Sequence, residues 1–148
     1  MGEIIKNLNP KVKYKGVEHT LKFVEHNKAN GFDCVHGDIQ SLEIADSTYE
    51  YVLCLDVLNY CLDYKAALKE LCRVSSDKVI LSFFKNWGNG EVIKRQDNSG
   101  LCENFFNLEE FKKSIQESGM VIIDEIYYNR RLKGPRVIIC EKTKRGEK

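Results

Sequence analysis

Apolar and polar positions change their period several times along the chain, and each change marks a candidate element. Ile4, Ile5 and Leu8 share one side of a short helix over residues 2–8, stopped by Asn9-Pro10. Residues 12–17 suit a strand that ends at the acidic Glu18. A helix over 20–28 is closed by the turn signal Asn30-Gly31, and a short strand over 32–35 runs into Gly37-Asp38. The run Tyr-Val-Leu-Cys-Leu at 51–55 is continuously apolar, which predicts a strand buried on both faces. Leu68, Leu71 and Cys72 form the inner stripe of a helix over 64–73, and residues 79–84 make another apolar strand. Residues 85–104 carry several Gly, Asn and Asp and predict a long loop or lid. Asn107 then opens a helix with Glu110 three residues on as a capping box, Leu108, Phe111 and Ile115 as its stripe, and Gly119 as its stop. Two strands over 121–127 and 136–140 follow.

Alternating strands and helices predict an α/β fold with a mostly parallel sheet covered on both faces. No helix separates the last two strands, only residues 129–135, so they should pair as an antiparallel hairpin at one end of the sheet. The sequence has no internal repeat, low-complexity tract or linker, which predicts one domain over 1–148.

Composition narrows the class without changing the layout. With 43% hydrophobic and 30% charged residues in 148, the chain suits a soluble globular domain. A formal net charge of +1 gives no electrostatic case for nucleic acid or an anionic membrane. No apolar run reaches membrane-spanning length, and no signal peptide is visible. Six cysteines, at 34, 54, 61, 72, 102 and 140, include no Cys-x-x-Cys pair. They read as reduced, buried thiols of a cytoplasmic protein. His19, His26 and His36 form no ligand cluster, so no metal is expected.

The layout resembles the class I S-adenosylmethionine-dependent methyltransferase fold, a Rossmann-like sheet with a C-terminal antiparallel hairpin. Lys15-Gly16-Val17-Glu18 looks like that family's second strand, whose terminal acid binds the cofactor ribose. Gly37-Asp38-Ile39 looks like the turn after its third strand, where an acid approaches the adenine amino group. The segment from Tyr49 through Asp56 to Leu58 resembles "FDxVxxxxVLxH", and Glu70-Leu71-Cys72-Arg73-Val74 matches "E-x-x-R-V". Within the superfamily the chain is most similar to the methionine-biosynthesis protein MetW group. That likeness rests on "Y-x-G-V-E" at 14–18, the stretch 82–87, and residues 103–111, although the usual proline near Phe84 and Lys85 is absent. It implies a homoserine acyltransferase-like partner and a small-molecule methyl acceptor.

One departure bears on activity. The family's first, central strand and its "D-x-G-x-G-x-G" loop are expected before the first helix, and the sequence contains no such motif. The resemblance therefore implies a chain that begins just past that loop, with Gly2 as its final glycine. In the sheet order 3-2-1-4-5-7-6, the strands flanking the first would then pair directly or leave an open edge. Methyl transfer would be impaired without the loop.

The resemblance puts Gly2, Glu18, His19, Asp38, Ile39 and Asp56 at the cofactor. Each acid has a plainer alternative: Glu18 as a solvated strand end, Asp38 as a common Gly-Asp turn, Asp56 as a helix-capping or loop aspartate. Tyr60, Phe84 and Trp87 either line a substrate pocket or pack in core and loop, and Arg130 and Arg131 either meet an acidic substrate or sit at a solvated hairpin tip. In-line displacement at a sulfonium demands alignment and exclusion of water, so no general base is assigned. Three functions compete at this stage. They are S-adenosylmethionine-dependent methyl transfer, a non-catalytic or regulatory binding module of the same fold, and a nicotinamide-dependent dehydrogenase. The terminal hairpin and the Gly37-Asp38 turn argue against the last.

Overall fold

In the computed structural model, the described residues are 11–83, 87–88, 93–96, 102–127 and 135–143; for 93–96 only the backbone is described. The helix expected over 2–8, with Gly2, lies outside them, as do Phe84, Lys85, Arg130 and Arg131. The chain divides into two compact units, Met1–Glu43 and Ile44–Lys148.

In the first unit, β1 (Gly16–Glu18) and β2 (Cys34–His36) pair in parallel, with α1 (Leu21–Ala29) between them in sequence. The strand expected over 12–17 is shorter because β2 offers three partners only, Gly16↔Cys34, Val17↔Val35 and Glu18↔His36. Gly31 adopts φ +80° after α1, where a side chain would be strained, so the Asn30-Gly31 signal was a true helix stop. Gly37 is required for a different reason. A Cβ there would lie 2.8 Å from Val17 Cγ1.

The second unit holds a four-stranded sheet in the order β3-β4-β8-β7, built from β3 (Tyr49–Leu55), β4 (Ser75–Ser82), β7 (Met120–Ile126) and β8 (Val137–Lys142). β3 and β4 run parallel, and β8 is antiparallel to β4; β7 and β8 pair antiparallel at one end of the sheet, as the absence of a crossover helix between them predicted. Two helices, α2 (Tyr64–Val74) and α3 (Leu108–Glu117), pack against this sheet. They meet the face carrying Cys54, Val79, Leu81, Ile138 and Cys140, all buried, with Leu68, Leu71, Phe111 and Ile115. The expected inner stripe of α2 is thus in place; of the α3 stripe, Leu108 is only half-buried.

Three features differ from expectation. The apolar run at 51–55 is not buried on both faces: Tyr51 and Leu53 are each 50% exposed while Cys54 is buried. Among the described residues β3 is bonded to β4 alone, and β1 to β2 alone. β4 begins at Ser75, directly after α2, four residues before the apolar stretch that announced it. The segment 85–104 is not simply a loop, because β5 (Ile93–Gln96) in it pairs antiparallel with β6 (Cys102–Phe105), which begins in it and ends one residue beyond.

Helix ends follow the local chemistry. Asn107 Oδ1 accepts from Glu110 N at 3.1 Å, and Gly119 takes φ +89° after α3. Asp63 caps α2 by accepting from Lys65 N and Ala66 N, both at 3.0 Å. Arg73, at the end of α2, grips the loop before β3 from both sides. Its guanidinium donates to Ile44 O and Asp46 Oδ1 and forms a fork with both Glu70 oxygens, while its carbonyl accepts from Ser47 N. An aromatic cluster of Tyr64, Phe83, Trp87, Phe106 and Phe111 closes the core beside α3, with ring centroids 4.8–5.9 Å apart. All six cysteines are buried, with no disulfide among them.

Candidate functional site

In the first unit the parallel register brings four of the expected residues to one end. β1 ends at Glu18 and β2 at His36, so Glu18, His19, Asp38 and Ile39 all follow the C-terminal ends of paired strands. In open α/β sheets ligands bind at that end. Gly37 N donates to Glu18 O at 3.1 Å, which continues the pairing into the turn carrying Asp38. The His19 and His36 rings stack alongside, 6.1 Å between centroids.

Both acids are oriented by their own chains. Glu18 Oε1 accepts from Thr20 N at 2.9 Å, and Asp38 Oδ1 accepts from Gln40 N at 2.9 Å, an Asx-turn. The Gln40 backbone N–H and then its side-chain amide hold the Asp38 carboxyl below its ordinary value, and the His19 charge acts in the same direction. Each carboxylate is half-buried and so remains within reach of a ligand.

In the second unit Asp56 follows the C-terminal end of β3. It adopts φ +60°, an uncommon conformation for a residue with a side chain. Ser82, the last residue of β4, fixes it twice: Ser82 O accepts from Asp56 N at 3.1 Å and Ser82 Oγ donates to Asp56 Oδ1 at 3.0 Å. Asp56 therefore caps no helix; that task on α2 belongs to Asp63. A 3-10 turn, Leu58–Tyr60, follows and leaves Val57, Tyr60 and Leu62 exposed. Trp87 is a packing residue, its ring in the aromatic cluster and its Nε1 donating to Pro135 O at 2.9 Å.

Asn104 carries no local sequence signal of a functional role. It is buried and donates through Nδ2 to Leu58 O at 2.9 Å and Cys61 O at 2.8 Å. Among the described residues no group of three His, Cys, Asp or Glu is placed to hold a metal ion, and no helix is long and apolar enough to cross a membrane.

A family model described as a methyltransferase domain matches residues 2–83, more than half of the chain and the whole stretch carrying Glu18, Asp38, Asp56 and Arg73. The chain belongs to this methyltransferase family. A comparison with curated proteins finds no match. Solved structures share the α/β, Rossmann-like fold at low identity. An S-adenosylmethionine-dependent methyltransferase from Mesorhizobium loti is 10% identical, with a TM-score of 0.67 over 86% of this chain and 79% of that one. The Haloferax volcanii protein solved with the Trm112 methyltransferase activator is 11% identical, with a TM-score of 0.72 over 99% of this chain and 79% of its own. The 1,6-didemethyltoxoflavin-N1-methyltransferase of Burkholderia thailandensis, solved with bound S-adenosylhomocysteine, is 13% identical, with a TM-score of 0.64 over 86% of this chain and 60% of its own.

Proposed function

We propose that the chain binds S-adenosylmethionine and serves methyl transfer to a small-molecule acceptor. The observation that carries this reading is the parallel pairing of β1 and β2, which sets Glu18 and Asp38 after neighbouring strand ends. Glu18 would hold the ribose hydroxyls, and Asp38 the adenine amino group, with His19 and Ile39 beside the ring. The fit is favoured by Gly37, whose missing side chain allows close backbone approach against Val17, and by two carboxylates already oriented by their own backbones. When bound, the cofactor would supply an electrophilic methyl group; Asp56, after β3 in the second unit, is assigned to cofactor binding from its place in the family motif. Gly2 is assigned to the amino-acid end of the cofactor on sequence grounds alone.

The narrower MetW-like reading, with a homoserine acyltransferase-like partner and a cytoplasmic site of action, rests on residues 14–18, 82–87 and 103–111. Co-purification with such an acyltransferase is its test.

Titration calorimetry with S-adenosylmethionine tests the main proposal. Micromolar binding is expected, weakened about tenfold or more in Glu18→Ala through loss of charge-assisted hydrogen bonds. No heat at millimolar cofactor, from protein that is folded by circular dichroism, would refute it.

A further inference from the structure

We propose that Asn104 is a positioning residue that sets the turn following Asp56, and so controls binding of a methyl acceptor at that turn. This rests on the functional reading above and extends it to a residue on a different element. Side chains three apart eclipse in a 3-10 turn. Leu58 and Cys61 therefore share one side, which is buried, and Val57 and Tyr60 share the other, which is exposed.

The buried side is held from β6. Asn104, only 2% exposed, gives its carboxamide Nδ2 to the carbonyls of both Leu58 and Cys61. Cys102 Sγ adds a weaker contact to Cys61 O at 3.4 Å. One side chain thus bridges the first residue of the turn and the residue just after it. At the upstream end, Ser82 fixes Asp56 in its positive-φ conformation. The turn is clamped at both ends, and between the clamps it presents an exposed carboxylate, an aliphatic side chain and a phenol ring. They lie beyond the C-terminal ends of parallel β3 and β4. That set suits an amine on an apolar or aromatic stem: the carboxylate takes the cation, and Val57 and Tyr60 take the stem.

The experiment uses phenethylamine as the probe. It is titrated into 15N-labelled full-length protein, with amide shifts read at 56–62, while calorimetry follows S-adenosylmethionine separately. In the wild type the largest shifts should fall at 56–62. Asn104→Leu has similar volume and no donor. It should weaken phenethylamine about tenfold or more, since both carbonyls lose the carboxamide donor that bridges them and the turn relaxes. S-adenosylmethionine affinity should stay within about twofold, because Glu18 and Asp38 are untouched. Asn104→Ser serves as a second variant if the leucine variant does not fold. A merely structural role would lower the urea midpoint of either variant and leave probe affinity of the folded protein unchanged; that result overturns the proposal. Wild-type shifts absent from 56–62 overturn it as well. Loss of the cofactor signal with the probe response intact strikes the methyltransferase reading instead.

Discussion

Arg73 offers a test in which two ion pairs on one guanidinium are expected to differ sharply. Its fork with Glu70 is bidentate, at 2.7 and 2.8 Å, and the Glu70 side chain is 19% exposed. Its contact with Asp46 is equally short at 2.7 Å, but the Asp46 side chain is 76% exposed. Distance alone would rank the two together; solvent screening separates them. A partly buried bidentate pair is worth about 1–2 kcal/mol, and an exposed single contact about 0–0.5 kcal/mol. Glu70→Gln should therefore cost about 1.5 kcal/mol and Asp46→Asn less than about 0.5 kcal/mol. Arg73→Met also strips the Ile44 carbonyl of its donor and should cost about 2–3 kcal/mol, or roughly 8 °C in Tm for a chain of this size. Arg73→Lys keeps the charge but not the fork, so it should recover less than half of that loss. Urea denaturation of the four variants, with the Glu70/Arg73 double-mutant cycle, measures these quantities. Raising salt to 0.5 M should shrink the Asp46 effect and largely spare that of Glu70. Equal costs for Glu70→Gln and Asp46→Asn, or a coupling energy near zero for Glu70 and Arg73, would show that the reasoning from burial is wrong.

Three further outcomes follow from local geometry. Gly37→Ala should cost about 1–3 kcal/mol because its Cβ meets the stiff Val17 side chain, and Val17→Ala in the same chain should restore part of it; Val17→Ala relieving nothing in urea denaturation would disprove the contact. Asn107→Ala should lower stability by about 1 kcal/mol through loss of the cap on Glu110 N, and Asn107→Asp by much less; thermal unfolding distinguishes them. Burial pushes the Cys54 and Cys140 thiols up to about 12, so at pH 8 only about one molecule in ten thousand carries either as thiolate. Ellman's reagent should therefore leave both unreacted in the native protein and release all six thiols in denaturant; prompt native modification at Cys54, read by mass spectrometry, contradicts the burial.

What the sequence disclosed was what neighbours in the chain decide. Asn107 and Gly119 work within a few residues of themselves, and so do Gly31 and the Glu70–Arg73 pair of the "E-x-x-R-V" motif. Asp63 carries the same kind of signal, an aspartate just before a helical stripe. Asn104 was not readable. Its acceptors lie 43 and 46 residues earlier, and nothing near it distinguishes a buried clamp from a loop asparagine. The β5–β6 pair was hidden for a related reason, since Ile-Lys-Arg-Gln and Cys-Glu-Asn-Phe carry too many polar residues to announce strands. The run at 51–55 failed differently. Its composition correctly predicted a strand, but an apolar run cannot say whether a second face finds cover; α2 and α3 pack on one side, and Tyr51 and Leu53 remain half-exposed on the other.

The acids at the ends of β1 and β2 show why a plain and a functional role need not compete. An aspartate or glutamate bound to its own backbone two residues on looks like a local turn device, and by itself that is sufficient explanation. The bond uses one oxygen, however: Glu18 Oε1 for Thr20 N, while Oε2 takes no hydrogen bond from a described residue. A carboxylate held by one oxygen has lost most of its rotamer freedom before any ligand arrives, which reduces the entropic cost of binding. Asp38 is more heavily committed, with both oxygens within reach of the Gln40 amide, so a ligand there must displace or share that contact. The proposed cofactor role should therefore depend more steeply on Glu18 than on Asp38. Removing Gln40's side chain should strengthen rather than weaken binding at the adenine end. Calorimetry on Gln40→Ala reads that sign directly, and a weakened affinity would place the Gln40 amide among the ligand's supports instead of its competitors.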